Sequence, residues 1–216
     1  MTERRDNPYL WVTWITGLMA GEAQCQWAAW FRAHFKGFDK RPSTLDMVAW
    51  KAQHGEMLRA KAAALRNDGY TVFIEEQNKF TFRGQAATLQ GKPDVVAVKD
   101  DDALVVDCKT GQRRDSDILQ MLVYMLVLPH THSACSNRQL RGEIEYRDGA
   151  LAVPTDRLTA EIRSLIRTTI ERAAGKQPTP RVPSAMECRF CDIMKQDCPE
   201  RIDEEPPIRQ TTHDLF

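Results

Sequence analysis

The chain has 216 residues, 42% of them hydrophobic and 28% charged, which suits a soluble globular protein with one well-buried core. Thirty basic residues balance thirty acidic ones, so the bulk charge weighs against a protein that coats nucleic acid non-specifically. It leaves open an enzyme that grips nucleic acid in one local groove.

Two arginines followed by YLWVTWITGLMA have the outline of a secretory signal. Glu3 and Asp6 spoil the basic start, and Thr13 and Thr16 interrupt the apolar run. The run is also too short to span a bilayer. The expected setting is the cytoplasm, or the host cytoplasm for a phage-encoded chain, with reduced thiols.

A proline-free stretch over residues 20–35, with Cys25, Ala29 and Trp30 at spaced apolar positions, predicts a helix. Ser43 and Thr44 are expected to cap a second helix running to Asn67, where Asn67-Asp68-Gly69 stops it. Residues 70–79 and 80–89 read as strands. Residues 94–99 and 103–109 follow as a hairpin. Asp100-Asp101-Asp102 between them reads as a solvated turn, not a metal site. Asp115 and Ser116 are expected to cap a helix through Leu128, and residues 144–153 suggest another hairpin. Thr155 or Asp156 then caps a helix with Leu158, Ile162, Leu165, Ile166 and Ile170 at helical spacing, ended by Gly175. Residues 177–184 hold three prolines and read as an extended connector. The order predicts an α/β fold, a mixed core with an α-helical cap.

Chemistry concentrates between Gly91 and Tyr124, which run GKPD, then VVDCKTG, then QMLVY. Asp94 enters at the start of an apolar strand. In LVVDCK, alternation puts Asp107 and Lys109 on one face and Cys108 on the other. Pairing of the two strands brings Asp94 and Asp107 within ligating distance of one ion. Such a pair holds Mg²⁺ or Mn²⁺ through oxygen and leaves water positions open. The ion polarises a phosphate and acidifies a bound water, while Lys109 orients that water or offsets charge building on the phosphate. An Asp-x-Lys alone is common; its weight comes from the Pro-Asp thirteen residues earlier. Gln120 and Tyr124, at i and i+4, share a helix face, with a core tyrosine as the plain alternative. His54 shares a helix face with Met47, Trp50 and Leu58, which allows a packed histidine.

Six cysteines fall into two groups. Cys188, Cys191 and Cys198, in CRFCDIMKQDC, form a ligand cluster that with a fourth thiolate suits zinc or an iron–sulfur centre. A disulfide is disfavoured in the cytosol. Cys25 stands alone near the N-terminus, Cys108 reads as a buried thiol, and Cys135 has no assignment.

The set PD…DCK followed by QxxxY resembles the RecB-like branch of the PD-(D/E)XK nuclease superfamily, over roughly residues 20–199. The resemblance implies a restriction-endonuclease-like core, a central mixed sheet flanked by helices, with the N-terminal helical part tied to the C-terminal cysteines. It implies catalysis by Asp94, Asp107 and Lys109, with Gln120 and Tyr124 beside them. It also implies Mg²⁺ or Mn²⁺ held by His54, Asp94, Asp107 and the backbone carbonyl of Cys108. One distant cysteine with three clustered ones is the arrangement of the iron–sulfur members, among them the AddB nuclease domain and the CRISPR-associated "Cas-four" exonucleases. That implies a structural four-iron, four-sulfur cluster on Cys25, Cys188, Cys191 and Cys198, with zinc as the alternative.

The expected organisation is one nuclease domain over residues 1–202, with a helical part at 1–69, the core at 70–175 and the cysteine segment at 185–199. A flexible tail over 203–216 follows, whose DLF end faintly resembles sliding-clamp-binding peptides. The expected function is a Mg²⁺- or Mn²⁺-dependent exonuclease on single-stranded DNA or DNA ends. The alternatives are a DNA-end-binding subunit of a larger recombination or CRISPR-adaptation complex, and a zinc-stabilised DNA-binding module without catalysis. Expected partners are DNA and proteins of recombination, replication, CRISPR adaptation or antiviral defence, with no membrane. Trp27, Trp30, Arg113, Arg114 and Arg189 are candidate DNA contacts, each with a core or solvated-surface alternative.

Overall fold

A computed structural model describes residues 1–42 and 46–203 of the chain. The first apolar run contributes strands β1 (Glu3–Arg4) and β2 (Tyr9–Trp11) and helix α1 (Val12–Met19), whose Val12 and Ile15 are fully buried. The helix expected over residues 20–35 is shorter: α2 covers Gln26–His34, and β3 (Phe35–Lys36) follows at once. Gly21, at φ +72°, turns the chain out of α1. The amides of Gln24 and Cys25 then donate to the Glu187 carboxylate at 2.9 and 3.1 Å, not to helix carbonyls.

Helix α3 (Met47–Asn67) is capped by Asp46, whose side chain accepts from the amides of Val48 and Ala49 at 3.0 Å. The expected caps Ser43 and Thr44 lie outside the described residues, as does the tail from residue 204. Strand β4 (Thr71–Ile74) ends early in a 3-10 turn, where buried Asn78 donates to the carbonyls of Phe73 and Pro93 at 3.0 and 3.2 Å. The single strand expected over residues 80–89 is a hairpin, β5 (Phe80–Arg83) and β6 (Thr88–Gly91). Strands β7 (Val95–Lys99) and β8 (Asp102–Lys109) make the expected hairpin, turning through Asp100.

Helix α4 (Asp115–Thr131) outlasts its expected end at Leu128 and carries Pro129 in its last turn. Its cap is not Asp115 or Ser116. The Arg114 amide donates to Asp117 at 3.2 Å, and Ser116 is bonded to Glu22. Strands β9 (Gln139–Tyr146) and β10 (Gly149–Val153) form the next hairpin. Thr155 and Asp156 lie in a 3-10 turn, and α5 (Ala160–Ala174) is capped by Thr159. Residues 177–184 carry no regular structure, and α6 (Ala185–Arg189) opens the cysteine segment.

The main sheet has the order β10-β9-β8-β7-β4, antiparallel except between β8 and β9. The parallel pair needs a crossover, which α4 supplies. Central β8 is buried from Ala103 to Cys108, and a strand covered on both faces reads as a nearly continuous apolar run. Helix α3 covers one face, with Leu58 and Leu65 against Val95, Ala97, Leu104, Val106 and Cys108. Helix α4 covers the other, with Met121, Tyr124 and Leu128 against Val96, Val105 and Ile144. This is the expected mixed α/β architecture of a central sheet flanked by helices. A third cluster joins Trp27, Trp30 and Phe31 of α2 to Ile193 in the cysteine segment. Among the described residues no helix is long and apolar enough to cross a membrane.

The smaller sheet, β2-β6-β5, packs against α4 through a close approach at Gly91. A Cβ there would stand 2.5 Å from Phe80 and 2.8 Å from Tyr124, and ring atoms yield little. Gly91→Ala is expected to cost about 1–3 kcal/mol, the usual penalty for overpacking. A melting temperature equal to that of the parent would show that the rings move aside freely.

Candidate active site

In the β7–β8 hairpin Val95 faces Val106 and Val98 faces Ala103. One further step of that register sets Asp94 opposite Asp107. The thirteen-residue spacing is therefore what makes the carboxylates meet, because residues in a hairpin pair by a fixed sum of positions. Alternation along β8 turns Asp107 toward the α4 side and Cys108 toward α3, where its thiol packs with Leu58 and Val106.

Asp94 Oδ2 accepts from the Cys108 amide at 2.7 Å and lies 3.1 Å from His54 Nε2. Asp107 Oδ2 pairs with Lys109 Nζ at 2.8 Å, and its Oδ1 accepts from Gln120 Nε2 at 3.3 Å. Gln120 ties the group together. Its Oε1 accepts from Lys109 at 2.9 Å and its Nε2 donates to the Tyr124 hydroxyl at 2.8 Å. The fold thus brings together all six side chains that the sequence singled out here: His54, Asp94, Asp107, Lys109, Gln120 and Tyr124. They line a cleft of about 990 Å³. Tyr124 belongs to both alternatives, since its buried ring meets Phe80 edge-on while its hydroxyl reaches the site.

The electrostatics follow from burial and crowding. Burial pushes the Asp107 carboxyl above the usual carboxylate range; Lys109 opposes the rise, and Asp94 and Asp117 add to it. Burial alone would lower the Lys109 ammonium, yet Asp107, Asp117 and Asp94 outweigh it and its pKa is raised. The hydrogen bond to Asp94 raises His54. Carboxylates that crowd one another at the end of two strands are a donor set in want of positive charge. Among the described residues, though, no three His, Cys, Asp or Glu are arranged around a single ion: Asp94 is engaged by His54 and Asp107 by Lys109.

Residues outside the predicted set also stand in the cleft. Asp117 is buried, accepts from the Tyr146 hydroxyl at 2.9 Å and lies 3.6 Å from Lys109 Nζ. Its signal was its place three residues before Gln120, on the same helix face. Trp11 and Trp50 line the cleft as well, and Trp50 stacks on His54 with ring centres 4.9 Å apart. Of the candidate DNA contacts, the two tryptophans take the core alternative. Trp27 and Trp30, at 3% and 6% exposure, are core residues of α2. Arg113 is paired with Asp148 at 3.1 Å, Arg189 lies over the Phe190 ring, and Arg114 is exposed at the cleft.

Cys25, Cys188, Cys191 and Cys198 line a neighbouring cavity of about 1010 Å³, which shares Thr13 and Arg114 with the cleft. Burial raises the Cys198 thiol, Arg181 opposes the rise, and Cys191, Cys25 and Cys188 add to it; among the described residues, no three of these thiols are grouped as a metal site. Protein contacts hold them there. Glu187 clamps the Cys25 amide, Arg32 donates to Cys191 Sγ at 3.8 Å, and the Ile202 amide donates to Cys188 Sγ at 3.4 Å. Buried Arg201 donates to the carbonyls of Cys188, Cys191 and Ile193 at 2.7, 3.0 and 2.7 Å.

The family model described as the PD-(D/E)XK nuclease superfamily matches residues 17–199. The crystal structure of SSO0001 is similar at 14% identity, over 93% of this chain and 90% of that one, with a TM-score of 0.44. No curated protein matches the chain.

Proposed function

The chain belongs to the PD-(D/E)XK nuclease superfamily, and from that premise we propose a metal-dependent deoxyribonuclease that acts as an exonuclease on single-stranded DNA or DNA ends. The observation that carries this reading is the β7–β8 register, which opposes Asp94 to Asp107 and leaves Lys109 beside them. Oxygen-rich, crowded donors fit Mg²⁺ or Mn²⁺, held by Asp94, Asp107, His54 and the Cys108 carbonyl. Bound there, the ion would supply Lewis acidity and an acidified water.

The chain's own residues do the positioning. Lys109 presents its ammonium to the attacking water or a phosphate oxygen. Gln120 spans Lys109 and Asp107, so neither swings away when substrate enters. Tyr124 fixes the Gln120 amide, and the Cys108 amide fixes Asp94. Half-buried Trp11 and Trp50 offer faces on which unpaired bases stack, which favours single strands over duplex.

The same reading places the chain in the iron–sulfur, RecB-like branch, as one nuclease domain working in the cytoplasm. Four cysteines that line one cavity, with a guanidinium donor to one sulfur and an amide donor to another, suit a four-iron, four-sulfur cluster on Cys25, Cys188, Cys191 and Cys198. Its role is structural, joining the segment before α2 to the C-terminal part.

End-labelled single-stranded DNA should be shortened stepwise with Mn²⁺ and left intact with chelator. No cleavage of single- or double-stranded DNA with either Mn²⁺ or Mg²⁺ would leave only DNA binding. Protein purified anaerobically should be brown and carry iron and sulfide. A colourless sample with one zinc would replace the cluster by zinc.

A further inference from the structure

The third aspartate of the cleft, Asp117, sits buried in the first turn of α4 and has no part in the reading above. A buried carboxylate needs partners that offset its desolvation, and those of Asp117 are specific. Its Oδ2 accepts from the Tyr146 hydroxyl at 2.9 Å and the Arg114 amide at 3.2 Å. Its Oδ1 stands 3.6 Å from Lys109 Nζ. Tyr146 of β9 is also the ladder partner of Lys109 of β8, so strand pairing itself sets the tyrosine beside the lysine.

Distances decide what Asp117 does. Lys109 has three N–H donors. Asp107 at 2.8 Å and Gln120 at 2.9 Å take two of them. At 3.6 Å Asp117 is too far for a hydrogen bond and near enough for strong attraction between charges. It therefore holds the ammonium without consuming the third N–H, which stays free for an oxygen in the cleft. Asp107 must serve both the lysine and a cation; Asp117 is held through Oδ2 by Tyr146 and Arg114 and turns Oδ1 to the lysine.

We propose that Asp117, locked by the Tyr146 hydroxyl, is a positioning residue that keeps the Lys109 ammonium directed at the reacting phosphate. The inference rests on the nuclease reading. A plain helix-capping role is the competing account, since Asp117 also accepts the Arg114 amide.

Asp117→Asn keeps the shape and the amide bond and removes the charge, while Tyr146→Phe keeps the charge and frees the carboxylate to turn. On end-labelled single-stranded DNA with Mn²⁺, Asp117→Asn is expected to lower kcat about 10- to 100-fold, as loss of a supporting partner typically does, with KM within about twofold. Tyr146→Phe should lower kcat in the same sense, and Asp117→Glu should recover part of the loss. In full-length protein without added Mg²⁺ or Mn²⁺, the ¹⁵N–¹H signal of the Lys109 ammonium should be slowly exchanging in the parent and broadened in Asp117→Asn, with the amide spectrum retained. A kcat equal to that of the parent, with only a lowered melting temperature, would establish capping and overturn the proposal. If the parent itself cleaves nothing, the nuclease reading fails on its own, and the ammonium signal still decides whether Asp117 holds Lys109.

Discussion

Lys109→Ala is expected to slow DNA cleavage by about 100- to 1,000-fold, the usual cost of deleting one donor aimed at developing charge. The side chain touches Asp107 at 2.8 Å and Gln120 at 2.9 Å, so its loss removes a charge at the phosphate and also slackens the group that aligns Asp107. A loss of stability accompanies it. The Asp107 side chain is 6% exposed and would lose its cation, and one-sided removal from a buried pair costs up to about 3–5 kcal/mol. Water entering the vacated space reduces that figure. Rates should therefore be compared where circular dichroism shows both proteins folded. A folded Lys109→Ala variant that shortens end-labelled DNA as fast as the parent would remove Lys109 from the mechanism.

Arg201→Met is expected to lower stability through a part of the molecule remote from the cleft. The guanidinium is 3% exposed and supplies donors to three backbone carbonyls of the cysteine segment. Methionine fills much of the volume and donates nothing, leaving the buried Ile193 carbonyl unpaired and the Cys188 carbonyl with only the Cys191 amide at 3.3 Å. At about 1–3 kcal/mol for that orphaned group, with two further charged hydrogen bonds lost, the expected cost is about 3 kcal/mol. That corresponds to a melting temperature lower by roughly 6–12 °C for a chain of this size. In metal-free protein the Cys188 thiol should then react faster with a maleimide. Cys108 and Cys135 should stay slow, because burial raises both thiols, Cys135 to about 11. Unchanged melting and unchanged Cys188 labelling would show that Arg201 is a bystander.

The two variants probe parts of the molecule that differ in how far they can be read from sequence. The β7–β8 hairpin was legible because strand alternation and hairpin pairing are both short-range. A valine-rich run of period two, a turn at Asp100 and two aspartates thirteen residues apart suffice to oppose Asp94 to Asp107. Gln120 and Tyr124 were legible for the same reason, since four residues is one turn of helix. Asp117 obeyed that spacing too. Only the Tyr146 hydroxyl, 29 residues away, distinguishes it from a solvated first-turn acid, so spacing alone does not single it out.

Helix boundaries failed where remote groups set them. The stretch before Cys25 has helical periodicity, but its amides are taken by Glu187, more than 160 residues later. The strand expected over residues 80–89 folded back on itself at Gly84, whose amide bonds to Ala87. Trp27 and Trp30 allowed either stacking or core from sequence, and they are core because Ile193 and the cysteine segment cover α2.

By itself the sequence determined which residues share a face and which strands pair, because period two, period 3.6 and tight turns are properties of neighbouring peptide units. Tertiary structure decided the rest. Whether His54 reaches Asp94 across forty residues depends on how α3 lies on the sheet. Whether Cys25 lines one cavity with three cysteines from the other end of the chain depends on the Glu187 clamp and the Arg201 guanidinium. Such contacts are fixed by the packing of whole elements, and no local spacing encodes them.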